Sequence, residues 1–78
     1  MSDPILVDAR GHHCPVPTLR LRRALEEAGP GSAVRLLADD PMARIDVPHF
    51  AGEKGYTLVE SGEISPPPGL FFVVSRPA

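Results

Sequence analysis

Residues 11–18, Gly-His-His-Cys-Pro-Val-Pro-Thr, connect a short apolar run to a strongly helical run and contain the only cysteine of the chain, Cys14. Proline is tolerated in the first turn of a helix, because the amides there have no partner within the helix. Pro15 and Pro17 therefore predict that a helix begins here, with Cys14 as its N-cap or N-terminal residue. The stretch marks a transition from strand to helix, and the rest of the fold follows from it.

The position of Cys14 also predicts a reactive thiol. A helix N-terminus favours anions and lowers the pKa of a cysteine placed there. Because Pro15 and Pro17 lack an N–H group, the amides of Val16 and Thr18 are the donors expected to face the sulfur. The alternative is a buried structural thiol, the usual state of a lone cysteine. The glycine loop before Cys14 and the proline-led helix after it favour exposure.

The residues before Cys14 are expected to support it. Asp8 is a candidate for accepting backbone hydrogen bonds in the loop, as short acidic side chains do in turns, and Gly11 ends the strand. His13 can influence the sulfur electrostatically, since an ordinary histidine is partly charged near neutral pH. No metal site is expected from His12, His13 and Cys14, because adjacent residues rarely form a closed site without further ligands.

The first helix is predicted at about residues 15–28 and carries one apolar stripe. The stripe has the spacing i, i+3, i+4 and i+7, and its members are Leu21, Ala24, Leu25 and Ala28. Positive charge comes early in this helix, at Arg20, Arg22 and Arg23, which is the reverse of what the helix dipole prefers. We predict these arginines as docking candidates for an acidic partner surface. A solvated charged face is the alternative.

The remaining elements give the order βαβαββ. Strands are predicted at 4–9, 32–38, 56–61 and 70–75. Strand, helix, strand with short connections predicts parallel pairing of the first two strands. The last strand is apolar on both faces, which predicts a central or covered position. The fold class expected is an α/β (α+β) two-layer sandwich, with two helices on one face of a four-stranded mixed sheet.

The region of the second helix contains Pro48, which cannot occupy the middle of a regular helix without cost. We therefore predict two pieces. Asp40 caps a single turn at 41–44, and Asp46 caps a second helix that reaches about Lys54. Capping is preferred here over acid–base chemistry by the aspartates, because each precedes a helix start and a proline.

Length and composition limit the classes of protein. The 78 residues predict one domain, 1–78, stabilised by its core, because a single cysteine cannot form an internal disulfide. The net charge of −2 argues against direct nucleic-acid binding through phosphates. No apolar run reaches the length of a membrane span, and the first four residues lack signal-peptide features. A cytoplasmic monomer without a cofactor is expected, in a compartment where a lone thiol stays reduced.

The chain resembles the TusA/SirA-like sulfur-carrier family over nearly its whole length. The resemblance rests on Asp8-x-x-Gly11-x-x-Cys14-Pro15-x-Pro17, followed by Pro30-Gly31, Asp39-Asp40-Pro41, Asp46-Val47-Pro48-x-Phe50 and Gly55. Cys-Pro-x-Pro alone has only three fixed letters, but all these blocks in order are specific. The resemblance implies the βαβαββ sandwich. It also implies that Cys14 carries sulfane sulfur as a persulfide and that Pro15 and Pro17 shape its turn.

The partners implied by the resemblance are a cysteine desulfurase or rhodanese-like donor and a downstream acceptor. The pathway could be tRNA thiolation, molybdenum-cofactor synthesis or sulfur oxidation. The best-known tRNA-thiolation members have glutamate where this chain has Val16, and often arginine where it has His13. These differences change the charge that a partner meets at the sulfur. The alternative function is a non-catalytic interaction or regulatory module with an inert Cys14.

Overall fold

The computed structural model describes residues 4–78, and its elements follow the predicted order βαβαββ. The strands are β1 Ile5–Asp8, β2 Ala33–Ala38, β3 Thr57–Ile64 and β4 Gly69–Ser75, and the helices are α1 Val16–Ala28 and α2 Ala43–Lys54. The prediction about a signal peptide rests mainly on residues 1–3 and lies outside the described residues.

The four strands form one mixed sheet in the order β1-β2-β4-β3. β1 is parallel to β2, as the short strand–helix–strand connection predicted. β4 is antiparallel to both β2 and β3, so it lies inside the sheet. This confirms the central position expected from its two apolar faces. β1 and β2 therefore end at the same edge, where the loop that contains Cys14 begins.

The core lies between the sheet and the two helices. β2 alternates regularly, with Val34, Leu36 and Ala38 buried and the residues between them partly exposed. Burial of the alternate face is the expected pattern for a strand covered on one side. The other buried apolar residues of this core are Ala9, Leu21, Leu25, Ala43, Val47, Phe50, Ala51, Leu70, Phe72 and Val74.

The apolar stripe of α1 differs from the predicted one at both ends. Leu21 and Leu25 are fully buried, as predicted, and Ala24 is half-buried. Ala28 is exposed, because the chain leaves the sheet at Gly29, whose amide donates to the carbonyl of Leu25. Pro17 is buried at the other end of the stripe. The contact of α1 with the sheet is thus displaced toward the Cys14 end of the helix.

The prediction of two separate helical pieces around Pro48 is wrong. α2 is one continuous helix from Ala43 to Lys54 with Pro48 inside it. Asp46 therefore lies in its first turn and is not a cap. Pro48 removes a single donor, the one that would pair with the carbonyl of Arg44, and both residues are exposed to water. Burial of the side chains around Pro48 holds the helix together, since tertiary packing supplies most helix stability.

The β3–β4 hairpin is longer than predicted, and the connection shrinks from 62–69 to residues 65–68. The glycine at 62 suggested a loop, but it pairs with Phe71 inside the sheet. A Cβ added at Gly62 would come within 2.9 Å of the Phe71 ring. The ring therefore covers the glycine, and the absence of a side chain serves close packing rather than a turn.

Leu25 and Leu19 offer a matched test of this core, since both lie on α1 but only Leu25 is fully buried, whereas Leu19 is 54% exposed. We expect Leu25→Ala to lower the free energy of unfolding by about 2–5 kcal/mol, through lost burial and a cavity. Leu19→Ala should change it by less than ~0.5 kcal/mol. Urea denaturation followed by circular dichroism measures both. Equal effects would contradict this packing of α1.

Candidate functional site

Cys14 lies in the loop between β1 and α1, one residue before the helix cap. Pro15 is the N-cap of α1, and Cys14 precedes it, so the prediction that Cys14 is itself the cap or a helical residue is wrong. The peptide bond between the two residues is cis. The amide of Val16 donates to the carbonyl of His13 at 3.0 Å and is therefore not free to face the sulfur. Cys14 is half-buried and packs against the core.

Two adjacent aspartates at the end of β2 hold the cysteine loop. The amide of Gly11 donates to both carboxylate oxygens of Asp39, at 3.1 and 3.0 Å. The amide of Cys14 donates to Oδ2 of Asp40 at 3.0 Å. Gly11 has a positive φ of 88°, which favours glycine at this turn. The sequence pointed to Asp40 as a helix cap, and it gave no role to Asp39 as an anchor of this loop.

Asp40 also serves the start of α2, although not in the predicted way. Its Oδ1 accepts the amide of Met42 at 2.9 Å. The helix itself begins at Ala43 with Met42 as its N-cap, so Pro41 is not the first helical residue and Asp40 caps only the preceding turn. Backbone amides of Met42 and Cys14, followed by His13, hold the pKa of Asp40 below its usual value. The carboxylate thus links the cysteine loop to α2.

Asp8 fixes the end of β1, in agreement with its predicted support of the loop. Its Oδ1 accepts the amide of Arg10 at 3.1 Å, and the guanidinium of Arg10 binds the same carboxylate at 2.8–2.9 Å. These bonds lower the pKa of Asp8 to about 2. The guanidinium of Arg20 donates to the carbonyl of Asp8 at 2.9 Å. Arg10 was not identified from the sequence, because its contact depends on a loop shape that no local pattern defines.

The electrostatic environment raises the pKa of Cys14 to about 11 instead of lowering it. Burial is the largest cause, followed by hydrogen bonding to Asp46 and the negative charges of Asp46 and Asp40. The prediction from the helix N-terminus is therefore wrong. The sulfur lies outside the first turn of α1, and carboxylates from the neighbouring elements oppose its ionisation. At neutral pH the unmodified residue is a thiol.

His13 and the arginines of α1 are exposed around this loop. Nδ1 of His13 lies 3.5 Å from Oδ2 of Asp40, and its side chain is 96% exposed. Arg22 and Arg23 lie 3.6 and 3.0 Å from the glutamates one turn later. Exposed pairs of this kind contribute little to stability. Docking by Arg20, Arg22 and Arg23 stays a prediction.

A shallow cavity of about 290 Å³ opens between α1 and α2 beside the loop. Its lining includes Pro15, Thr18, Leu19, Asp46 and Phe50. The hydroxyl of Thr18 is buried and has no hydrogen-bond partner within residues 4–78. The cavity therefore joins the first turn of α1, next to Cys14, to the first turn of α2.

Two wider features were searched over residues 4–78. No group of three or more histidine, cysteine, aspartate or glutamate side chains in this range is arranged to hold a metal ion. None of the helices in this range is long and apolar enough to cross a membrane.

Comparisons with known proteins agree on one family. A family model described as Sulfurtransferase TusA matches residues 5–74. The sulfur carrier protein TusA of Pseudomonas paraeruginosa is 35% identical over 65 residues, which cover 81% of this chain and 82% of the relative. That of Pseudomonas aeruginosa is 36% identical over 58 residues, covering 74% and 73%. The crystal structure of a SirA-like protein from Desulfitobacterium hafniense superposes with a TM-score of 0.77 at 28% identity, covering 95% and 99%.

The raised pKa of Cys14 predicts a shifted pH profile of alkylation. Only the thiolate reacts, so the iodoacetamide rate should rise tenfold per pH unit through neutrality and level off near pH 11. A free cysteine peptide, the control, levels off near ~8.5. Because folding raises this pKa, stability from the protonated thiol is present below about 8.5 and is lost as pH rises toward 11. A midpoint below 8 would contradict the assigned environment.

The anchoring by Asp39 and Asp40 predicts local changes in amide hydrogen exchange. Asp40→Ala should speed exchange at the amides of Cys14 and Met42, and Asp39→Ala should speed it at Gly11, because each loses its carboxylate acceptor. NMR-detected exchange at single residues measures this. Each variant is the control for the other. Unchanged exchange at Cys14 in Asp40→Ala would contradict the anchor.

Proposed function

The chain belongs to the sulfurtransferase TusA family, and from this we propose that it is a sulfur carrier that holds sulfane sulfur as a persulfide on Cys14. Two of its relatives are named sulfur carrier proteins. The observation that carries the proposal is the placement of the single cysteine of the chain in a loop held from both sides by Asp39 and Asp40. A fixed loop presents the sulfur in one position to successive partners.

The chemistry proposed is transfer between thiols. The sulfur of Cys14 attacks the outer sulfur of a donor persulfide, and an acceptor thiol later attacks the outer sulfur on Cys14, as in thiol–disulfide exchange. The chain has no second cysteine to resolve the persulfide into an internal disulfide. The bound sulfur can therefore leave only to another molecule. The donor proposed is a cysteine desulfurase or a rhodanese-like protein.

The surroundings of Cys14 suit contact with other proteins. Seven large apolar side chains are exposed within residues 4–78, and four of them lie in the first turn of α1 or at the start of α2: Val16, Leu19, Met42 and Ile45. Both helix starts adjoin the cysteine loop through Asp40. We name these four side chains the apolar rim. Apolar groups at the centre of a contact surface are typical of protein interfaces.

The downstream pathway is proposed only by class. Tansfer to an acceptor protein in tRNA thiolation, molybdenum-cofactor synthesis or sulfur oxidation is consistent with a carrier of this kind. Val16 is apolar and 38% exposed within the rim, so an acceptor of this chain should present an uncharged surface at that point. A cytoplasmic, monomeric protein that does not bind nucleic acid directly stays part of the proposal.

A second candidate function is a non-catalytic interaction module with an inert Cys14. One observation favours it, because a thiol with a pKa of about 11 is almost entirely protonated at neutral pH and is a poor nucleophile. In that case the apolar rim and the arginines of α1 would carry the binding. The two functions differ in a directly measurable way, since only the carrier gains mass at Cys14.

Incubation with a cysteine desulfurase and cysteine should add one or more sulfur atoms to Cys14. Intact-protein mass spectrometry should show gains of 32 Da per sulfur on the wild type, reversed by a reductant, and none on Cys14→Ser. The control for folding is the far-UV spectrum of the variant. If neither a desulfurase nor a rhodanese-type donor loads the wild type, the carrier function is wrong and the interaction module is favoured.

A further inference from the structure

Four aspartates surround the cysteine loop, and three of them have an evident structural task. The carboxylates of Asp8, Asp39 and Asp40 accept backbone amides at 2.9–3.1 Å. Asp46 differs from them. Within residues 4–78, none of the backbone amides or basic side chains forms a bond or ion pair of this kind with its carboxylate.

Asp46 lies where it can act on the sulfur. It belongs to the first turn of α2, is half-buried, and lines the cavity that also contains Pro15 and Thr18 of the adjoining start of α1. Its carboxylate faces the thiol of Cys14 and is the hydrogen-bonding group identified beside that thiol. The cavity opens to solvent at this point, so a donor or acceptor sulfur can approach both groups together.

The state of the thiol creates a chemical requirement. A protonated thiol is a weak nucleophile, and a thiol of high pKa is also a poor leaving group in exchange reactions. Sulfur can enter and leave Cys14 at a useful rate near neutral pH only if the thiol proton moves together with the sulfur. The group that accepts this proton must be next to Sγ and must not be committed to the backbone.

We propose that Asp46 takes the proton from the Cys14 thiol as sulfur is loaded and returns it as sulfur leaves. The inference rests on the proposed sulfur-carrier function and assigns a catalytic residue to it. In loading, Sγ of Cys14 bonds to the outer sulfur of a donor persulfide, R–S–SH, and the donor S–S bond breaks. The leaving sulfur departs with the bonding electron pair and receives the proton through Asp46, which gives R–SH and Cys14–S–SH.

Unloading is the same step in reverse with an acceptor thiol. The acceptor sulfur, whose proton passes to Asp46, bonds to the outer sulfur on Cys14. The S–S bond to Cys14 breaks, and its Sγ takes up the proton from Asp46. One sulfane sulfur passes from thiol to thiol in each direction, so no external oxidant or reductant is required.

The other charged groups around Cys14 are less suited to this role. Both oxygens of Asp40 are engaged by the amides of Cys14 and Met42. His13 is almost fully exposed and faces Asp40. In the cavity, Arg22 pairs with a glutamate of its own helix. His49 and Glu53 lie 3.1 Å apart and form a pair with each other.

Two rates measured on the same variants test the proposal. The first is alkylation by iodoacetamide, which reads the thiolate population. The second is single-turnover loading from glutathione persulfide, a small donor that needs no docking surface, followed by mass spectrometry from pH 6 to 9. The variants are Asp46→Asn, Asp46→Glu and the control Glu53→Gln, which removes the same charge from the same cavity. Far-UV spectra establish that each variant is folded.

We expect Asp46→Asn to move the two rates in opposite directions. Alkylation near neutral pH should become faster, because a charge that opposes ionisation is gone. Loading should become about 10²-fold slower, the usual effect of losing a positioned proton acceptor, and should rise tenfold per pH unit where the wild type is nearly flat. Asp46→Glu should recover part of the loading rate, and Glu53→Gln should change neither rate.

Parallel acceleration of both rates in Asp46→Asn would show that Asp46 only opposes ionisation, and the proposal would be wrong. Loading equal to that of the wild type would also overturn it, while leaving the sulfur-carrier function intact. A wild type that takes up no sulfur from glutathione persulfide or from a desulfurase removes the proposed function, and this inference is then overturned with it. The outcome for Asp46 can therefore be separated from the outcome for Cys14.

Discussion

The hydrogen bonds from the cysteine loop to the end of β2 are the constraint on which the site depends. Gly11 and Cys14 donate their amides to Asp39 and Asp40, two consecutive residues at the edge where β1 and β2 both end. The parallel pairing of these strands is what brings the two segments together. Without it, residues 26 or 28 positions apart in the chain would not meet, and the proline-led turn would have no fixed direction.

The same carboxylates set the chemical state of the sulfur. A loop held by acidic side chains is electronegative, and this outweighs the positive end of α1, whose first turn begins beyond Cys14. The empty site is therefore kept as an unreactive thiol. A persulfide is more acidic than a thiol, so loading changes the charge at this position. A carrier benefits from that difference, because the thiol is protected while the loaded sulfur is available to an acceptor.

Packing explains where local rules fail. Pro48 should interrupt a helix, yet α2 continues through it, because Val47, Phe50 and Ala51 are buried on the inner side and the lost hydrogen bond faces water. In the hairpin, Gly62 lies inside a strand under the ring of Phe71. Proline and glycine describe what the backbone can do alone, and burial against the sheet can outweigh that preference.

The sequence by itself determined the order of elements, the parallel pairing of the first two strands, the central fourth strand and Cys14 as the residue of interest. These follow from periodicity, connection length and prolines, all of which are local. The tertiary structure alone decided that Asp39 and Asp40 anchor the loop, that Asp46 faces the sulfur, and that the thiol pKa rises. Such effects depend on distances between segments far apart in the chain, and charge and burial act through those distances.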